Sequence, residues 1–189
     1  METKFNIFFE RLKEANFSEN TLCKGFWLKL KKLHLNFNES DCWELLIDNI
    51  EWTINTGSIT TDELIEWFSE EKLSENNIFY KGSVNINNGF AIGLKDVEIE
   101  AVGHSRIILF DNAKCKAFDS SFVTGFNDTE IELKNCAADV FHNCRVTAKD
   151  FSKVEAWDNS NVKAETYSCV MAHDKVQVEN SQNSHTIII

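Results

Sequence analysis

The feature that most constrains the fold is an eight-residue repeat that fills the second part of the chain. Residues 153–168, KVEAWDNSNVKAETYS, contain the repeat twice, since both halves have valine second, alanine fourth and serine last. Thirteen such octads run from residue 83 to residue 184, and two of them, residues 91–97 and 130–136, are one residue short. Because a unit of eight residues cannot bury its own apolar side, consecutive units must stack on one another.

The pattern within each octad predicts a short strand followed by a corner. Positions eight, two and four are small or aliphatic, and they share one face because side chains alternate along a strand. In this register Ile92 and Leu94 point into the interior. Positions six and seven are rich in Asp, Asn and Gly, and we expect the aspartates to form Asx turns. Stacked units of this kind make a parallel β-helix, also called a β-solenoid.

The outward charges indicate that two octads make one coil of 16 residues. At positions one and three of every second octad, acidic and basic pairs alternate, in the order Glu98 with Glu100, Lys114 with Lys116, and Glu130 with Glu132. Strands one coil apart are neighbours in a solenoid, and each opposite-charge pair across them contributes about 0.2–1 kcal/mol. Large side chains recur with the same period at Phe110, Phe126, Phe141, Trp157 and His173.

The first third of the chain predicts helices rather than strands. Apolar residues recur there at helical spacing in four segments, residues 3–15, 22–34, 40–57 and 60–73. Ser40 and Asp41 are candidate caps of the third segment, and Thr60 with Glu63 has capping-box spacing at the fourth. The expected fold class is therefore α+β.

Two domains follow from this division. We expect a small helical domain over residues 1–75 that caps one end of a parallel β-helix over residues 76–189, with about 16 residues per coil.

The charge of the chain is acidic and uneven, with a net value of −11. Residues 39–75 carry eleven Asp and Glu against one lysine. Direct nucleic-acid binding is disfavoured because phosphates require cations, so a protein partner with a basic surface is expected instead. The predicted contact residues are Glu63, Glu66, Glu70 and Glu71. The alternative is that they form a solvated helix face.

Two apolar features indicate further interaction surfaces. Phe110, Phe126, Phe141 and Trp157 form an aromatic column on the side opposite the charges, and such a column either binds a partner or packs under the N-terminal helices. Ile187, Ile188 and Ile189 form an apolar strand with no cap after it, which favours pairing with a second copy in a homodimer.

The cysteines and the absence of long apolar runs favour a cytoplasmic protein. Six cysteines, Cys23 among them, include no CxxC pair, which is typical of free thiols in a reducing compartment. The chain has no run near the roughly 20 apolar residues that span a bilayer, and its N-terminal sequence lacks the apolar core of a signal peptide. No contact with a membrane is expected.

The sequence offers little that indicates catalysis. No glycine-rich phosphate loop, HExxH motif or nucleophile elbow occurs, so no cofactor, metal or enzymatic activity is expected. Asp139, His142 and Cys144 include residue types that catalyse reactions. Corner and interior roles explain these three residues more simply, as they do for Cys115 and Cys136.

The octads resemble the β-solenoid repeat proteins of bacteria and their phages. The architecture is similar to that of pentapeptide-repeat proteins, some of which are acidic rods that imitate DNA and block DNA-handling enzymes. The period here is eight rather than five, so the resemblance concerns architecture and not individual residues. It implies a non-enzymatic binding or inhibitory protein, such as a phage-type, anti-CRISPR-like inhibitor of a nucleic-acid-handling enzyme. The alternatives are a self-assembling homodimeric solenoid, an immunity protein, and a β-helix carbohydrate-active enzyme.

Overall fold

The structure, a computed structural model, describes residues 1–19, 24–181 and 183–189. Leu22, predicted in the second helix, and Cys23, predicted as a free thiol, lie outside the described residues. The chain divides into two compact units, residues 1–68 and residues 69–189.

The first unit is helical. In the part of the chain that the structure describes, its helices are α1 (Glu2–Glu19), α2 (Lys24–Leu35), α3 (Glu39–Asp48), α4 (Ile50–Asn55) and α5 (Thr61–Trp67). Phe5, Phe8, Leu12 and Leu30 are fully buried, which confirms that the apolar stripes form a core. None of the described helices is long and apolar enough to cross a membrane.

The helix boundaries confirm one predicted cap and correct another. The Thr60 hydroxyl accepts from the Glu63 backbone N–H at 3.1 Å, and the Glu63 carboxylate accepts from the Thr60 N–H, which completes the capping box. The cap of α3 is Asn38, not Ser40 or Asp41, because the helix already begins at Glu39. The predicted third helix is interrupted at Asn49, where α3 ends and α4 begins.

The second unit begins with α6 (Glu70–Glu75) and continues as two parallel sheets. Within the described residues, the eight-stranded sheet contains β1 (Ile78–Phe79), β3 (Phe90–Gly93), β5 (Arg106–Leu109), β7 (Phe122–Gly125), β9 (Ala137–Val140), β11 (Lys153–Ala156), β13 (Cys169–Ala172) and β15 (His185–Ile188). The seven-stranded sheet contains β2 (Ser83–Asn87), β4 (Glu98–Val102), β6 (Lys114–Phe118), β8 (Glu130–Lys134), β10 (Arg145–Lys149), β12 (Asn161–Ala164) and β14 (Gln177–Asn180).

Strand pairing confirms the two-octad coil. Each strand pairs in parallel with the strand two places later in the chain, so consecutive octads alternate between the sheets. Val146 pairs with Val162 in one sheet, and Val154 pairs with Val170 in the other, a spacing of 16 residues. The chain therefore folds as a parallel β-solenoid of about seven turns.

The interior is filled as the octad pattern predicts. Positions two and four are buried in the central coils, and position eight carries a small residue, in most octads a hydroxyl or thiol. Several of these hydroxyls and thiols donate back to their own corner. Ser121 donates to the carbonyl of Phe118 at 3.0 Å, and the Cys144 thiol donates to the carbonyl of Phe141 at 2.9 Å. A hydroxyl or thiol at position eight thus fits the narrow interior without leaving a buried polar group unpaired.

The corners use left-handed backbone, and their acidic side chains link adjacent coils. The corner residues Asp111, Asp119 and Asp158 have φ values of 59°, 65° and 60°. The Asp158 carboxylate accepts from the backbone N–H of His142 on the preceding coil at 2.8 Å, and Asp111 accepts likewise from Lys95. The predicted Asx turns within one corner are therefore replaced by hydrogen bonds between coils, because neighbouring corners stack directly.

The register differs from the prediction at the start of the solenoid. Ala91 pairs with Ile107, and Gly93 pairs with Leu109, so Ala91 and Gly93 hold the inward positions predicted for Ile92 and Leu94. The short octad is therefore residues 83–89. A Cβ on Gly93 would lie 2.9 Å from the side chains of Leu109 and Val97, which explains glycine at this inward position.

Candidate binding surfaces

The predicted acidic contact residues of the first unit are paired with cations on their own chain. The Glu63 carboxylate accepts from the Arg11 guanidinium at 2.8 Å, and this hydrogen bond is the main reason that the pKa of Glu63 is lowered. Lys4 lies 2.8 Å from the Glu66 carboxylate. These pairs reduce the field that the two carboxylates present to a partner.

The two predicted acidic residues of the second unit lie on α6. Glu70 forms an ion pair with Lys81 at 2.6 Å, and its pKa is lowered mainly by the hydrogen bond from Lys81. Glu71 is exposed, and no ion pair engages it within the described ranges. Three of the four predicted carboxylates are thus already compensated, and Glu71 is the one best able to attract a cation.

The predicted aromatic column is a continuous stack of nearly parallel rings. Neighbouring ring centroids lie 5.0 Å apart for Phe110 and Phe126, 5.1 Å for Phe126 and Phe141, and 4.6 Å for Phe141 and Trp157. His173 extends the stack beyond Trp157 at 4.9 Å. The sixteen-residue spacing in the sequence therefore places one ring of the stack on each coil.

Only part of this column is accessible. Phe110 and Phe126 are buried, whereas Phe141 and Trp157 are half-buried. A buried ring cannot contact a partner in this conformation, so Phe110 and Phe126 act in packing. Phe141 and Trp157 remain the members of the column that a partner can reach.

The outer face of the eight-stranded sheet opens progressively along the solenoid. The row of outward residues at position three begins with Ile92, which is 2% exposed, and continues through the buried Ile108 and Thr124. It passes through the half-buried Met171 and ends at Ile187, which is 53% exposed. The second half of this face therefore presents the apolar Met171 and Ile187 to solvent, beside the half-buried carboxylates of Asp139 and Glu155.

A stacked aromatic pair at the opposite edge of this face was missed in the sequence. Phe151 and Tyr167 have ring centroids 5.4 Å apart and are 70% and 55% exposed. Both occupy position seven of their octads, 16 residues apart, and that spacing is the signal that could have identified them. We refer to Phe151, Trp157, Tyr167, Met171 and Ile187 as the C-terminal apolar face.

The last strand of the eight-stranded sheet exposes an interior position. Ile188 pairs with Ala172, an inward residue at position four, yet Ile188 is 84% exposed. Ile187 and Ile189 are also exposed. The predicted self-association residues thus form an apolar edge.

Asp139, His142 and Cys144, whose residue types can support catalysis, occupy different positions in the coil. Asp139 lies in the outward row, where burial raises its pKa and the neighbouring Glu155 adds to the increase. Cys144 is buried at an inward position, and burial raises its pKa as well. His142 accepts a hydrogen bond through Nδ1 from the Asn127 backbone N–H at 3.1 Å, as a corner residue. The three residues therefore have separate structural roles.

Cys115 is, like Cys144, a buried thiol of the solenoid interior. Burial raises the pKa of Cys115 to about 12, so this thiol stays protonated at neutral pH. Within the described ranges, no group of three or more His, Cys, Asp and Glu residues is arranged to hold a metal ion.

The outer face of the seven-stranded sheet is a trough of about 930 Å³ between two rows of polar and charged side chains. Positions one and three form the rows, and strand pairing confirms that acidic and basic pairs alternate over β4, β6 and β8, with Arg145 continuing the alternation at position one of β10. Glu130 accepts from Arg145 at 2.9 Å and lies 3.3 Å from Lys114, and both cations lower its pKa, Arg145 more strongly. We refer to this face as the charge ladder.

Comparison of the chain with protein-family models, with curated proteins and with solved structures found no match.

Proposed function

We propose that the protein is a non-enzymatic binding protein that holds a protein partner on its C-terminal apolar face. The observation that carries the proposal is the exposed Phe151–Tyr167 stack at one edge of that face. Trp157 lies at the other edge, with Met171 and Ile187 between them. Several exposed apolar and aromatic side chains on one face favour an interface, and aromatic residues are the common anchors of such interfaces.

The chemistry of the partner follows from charge. The chain has a net charge of −11, and Asp139 and Glu155 lie beside one another in the same outward row. Glu71 adds an exposed carboxylate on α6 of the same unit. A partner with a basic surface would associate faster with such a protein, and the gain would decrease with salt.

A nucleic-acid-handling enzyme is the partner class that best fits these properties. The binding groove of such an enzyme is basic because it neutralises phosphates. An acidic rod with an apolar anchor would occupy that groove and exclude the nucleic acid. The resemblance to the solenoid proteins that imitate DNA supports a phage-type, anti-CRISPR-like inhibitor.

A second candidate function is self-association through β15. It is favoured by Ile188, an interior-type position that is 84% exposed. Another strand that paired with this edge would cover Ile188 and satisfy the backbone groups of the edge. This would make the protein a homodimeric structural module.

Affinity capture with matched variants tests the proposed function. The immobilised protein would be incubated with bacterial lysate, and bound proteins would be quantified by mass spectrometry. The variant carries Phe151→Ala, Tyr167→Ala and Trp157→Ala. The control is Phe90→Ala, which removes an exposed ring from the other end of the same sheet.

We expect a partner that the wild type and the control retain and that the triple variant loses. Circular dichroism must show that the triple variant is folded. The proposal is overturned if the folded variant retains the same proteins as the wild type. The inhibitor assignment is overturned if the captured partner handles no nucleic acid.

A further inference from the structure

We infer that the charge ladder is an interface between two copies of this chain, arranged face to face about a twofold axis parallel to the strands. This surface is on the opposite sheet from the C-terminal apolar face and does not depend on the proposed function. The inference is carried by the order of charges along the seven-stranded sheet. That order is two acidic residues on β4, two basic residues on β6, two acidic residues on β8, and one basic residue, Arg145, with the neutral Thr147 on β10.

The spacing of the ladder selects the kind of partner. Each strand carries one pair of outward residues, and these pairs repeat at the strand spacing of about 4.8 Å. This spacing matches neither the 5.4 Å pitch of a helix nor the roughly 3.4 Å rise of an extended chain. Another parallel sheet has the same spacing, and a second copy supplies one. A polyanion is disfavoured as a partner because strands with acidic outward residues lie between the strands with basic ones.

The sign order selects the symmetry. A twofold axis parallel to the strands, midway between β6 and β8, reverses the strand order and keeps each position opposite its equivalent. In this arrangement Lys114 faces Glu130 of the second copy, Lys116 faces Glu132, and Glu98 faces Arg145. None of the facing positions on β4, β6, β8 and β10 brings like charges together.

Three other placements of the axis bring like charges together. An axis on β6 itself places Lys114 against Lys114 of the second copy. An axis between β8 and β10 places Lys116 against Lys163 of the second copy. An axis along the solenoid places Lys114 against Lys116 of the second copy. An axis between β4 and β6 brings no like charges together either, but only four strands of each copy then face each other, against six for the axis between β6 and β8. Charge and overlap together therefore favour the axis between β6 and β8.

The ladder keeps the capacity to bind a second layer. Glu98, Glu100 and Lys116 are exposed, and no ion pair engages them within the described residues. Lys114 and Glu130 pair within the chain, but their side chains are 52% and 44% exposed. Six of the seven strands face the second copy in this register, which at about 4.8 Å spacing gives a contact about 24 Å long and a projected area of roughly 340 Å² per copy, the size of a small interface. The dimer is therefore expected to be weak and salt-sensitive.

Charge complementation between variants tests the inference. Variant A carries Lys114→Glu and Lys116→Glu, and variant B carries Glu130→Lys and Glu132→Lys. Each variant brings like charges together in its own dimer, but A facing B restores opposite charges at all of these positions. The control, Lys153→Glu with Lys175→Glu, changes the net charge as A does at exposed positions outside the ladder.

Sedimentation velocity over a concentration series gives the readout. We expect the wild type and the control to dimerise at low salt and to dissociate in about 0.5 M salt. Variants A and B should each dimerise at least about tenfold more weakly, and an equimolar mixture should form a one-to-one heterodimer. Thermal unfolding checks that each variant is folded, and the single variants Lys116→Glu and Glu132→Lys replace any that is not.

Three outcomes overturn the inference. They are a monomeric wild type at low salt, an unchanged dimer in variants A and B, and a mixture of A and B that stays monomeric. An unchanged dimer in A and B that Ile188→Glu abolishes would assign the contact to β15 instead.

Discussion

The two sheets of the solenoid share one kind of interior and differ in their outer faces. Val146 pairs with Val162 inside one sheet as Val154 pairs with Val170 inside the other. Outside, the seven-stranded sheet carries alternating charges, whereas the eight-stranded sheet carries aliphatic and aromatic side chains with only a few charged residues, such as Asp139 and Glu155, among them. The period of eight therefore sets the common core, while the period of sixteen allows each outer face to have its own chemistry.

The eight-stranded face itself has two parts. Its first half is buried at Ile92, Ile108 and Thr124, and its second half opens towards Ile187. The aromatic stack crosses this boundary, since Phe126 is buried and Trp157 is half-buried. One continuous column thus contributes to packing at one end and presents a surface at the other.

The largest expected effect separates packing rings from surface rings. Phe126→Ala removes a buried ring stacked between Phe110 and Phe141, and we expect it to lower the free energy of unfolding by about 3–5 kcal/mol. Phe151→Ala removes an exposed ring and should change it by less than about 0.5 kcal/mol. Urea denaturation of both variants gives the comparison. Similar losses in the two variants would mean that the face has no such boundary.

The next prediction compares an inward and an outward position of the eight-stranded sheet. Ala156 is fully buried between Val140 and Ala172, so Ala156→Leu should overpack the interior and destabilise the fold by about 1–3 kcal/mol. Ala137→Leu, at a half-buried outward position of the same sheet, is the control and should be nearly neutral. Thermal and urea unfolding measure both. A neutral Ala156→Leu would contradict the inward register.

The solenoid was predictable because its signal is repeated many times. Sixteen-residue pairing could be read from the alternation of Glu100, Lys116 and Glu132, since only one coil length brings opposite charges together. The register was wrong where the signal is local. In residues 83–97 one missing residue could be placed in either of two octads, and Ile92 and Leu94 are as apolar as interior residues.

The candidate surface was only partly predictable. The sixteen-residue spacing identified Trp157, but the octad pattern does not encode how exposed each outward residue is, so the burial of Phe110 could not be inferred. Phe151 and Tyr167 were missed because corner positions were examined for turn residues. The ion pairs that compensate Glu63 and Glu66 join residues more than 50 positions apart, which no local pattern shows.

A smaller effect tests the charged side of the comparison. Lys116 lies between Glu100 and Glu132 on adjacent strands, so Lys116→Glu places three acidic residues in a row and should cost about 0.2–1 kcal/mol. Adding Glu132→Lys should recover part of the loss, because the exchanged pair again has opposite signs. A double-mutant cycle by urea denaturation, at protein concentrations too low for association, measures the coupling. Strictly additive effects would contradict the pairing across coils.

The smallest effect is the pH dependence of one ladder residue. The hydrogen bond from Arg145, with a second from Lys114, lowers the pKa of Glu130 in the folded chain. A lowered folded-state pKa means that this contribution is fully present above the unfolded-state value of about 4.3 and is lost as pH falls through the folded-state value. Because the Glu130 side chain is 44% exposed, screening limits the contribution to roughly a few tenths of a kcal/mol.

The stability difference between the wild type and Glu130→Gln should therefore shrink between about pH 5 and pH 3. Glu98→Gln, at an exposed position with no ion pair in the described chain, is the control and should show a flatter difference. A Glu130→Gln difference that stays constant over this range would contradict a contribution of the Glu130 ion pairs to stability.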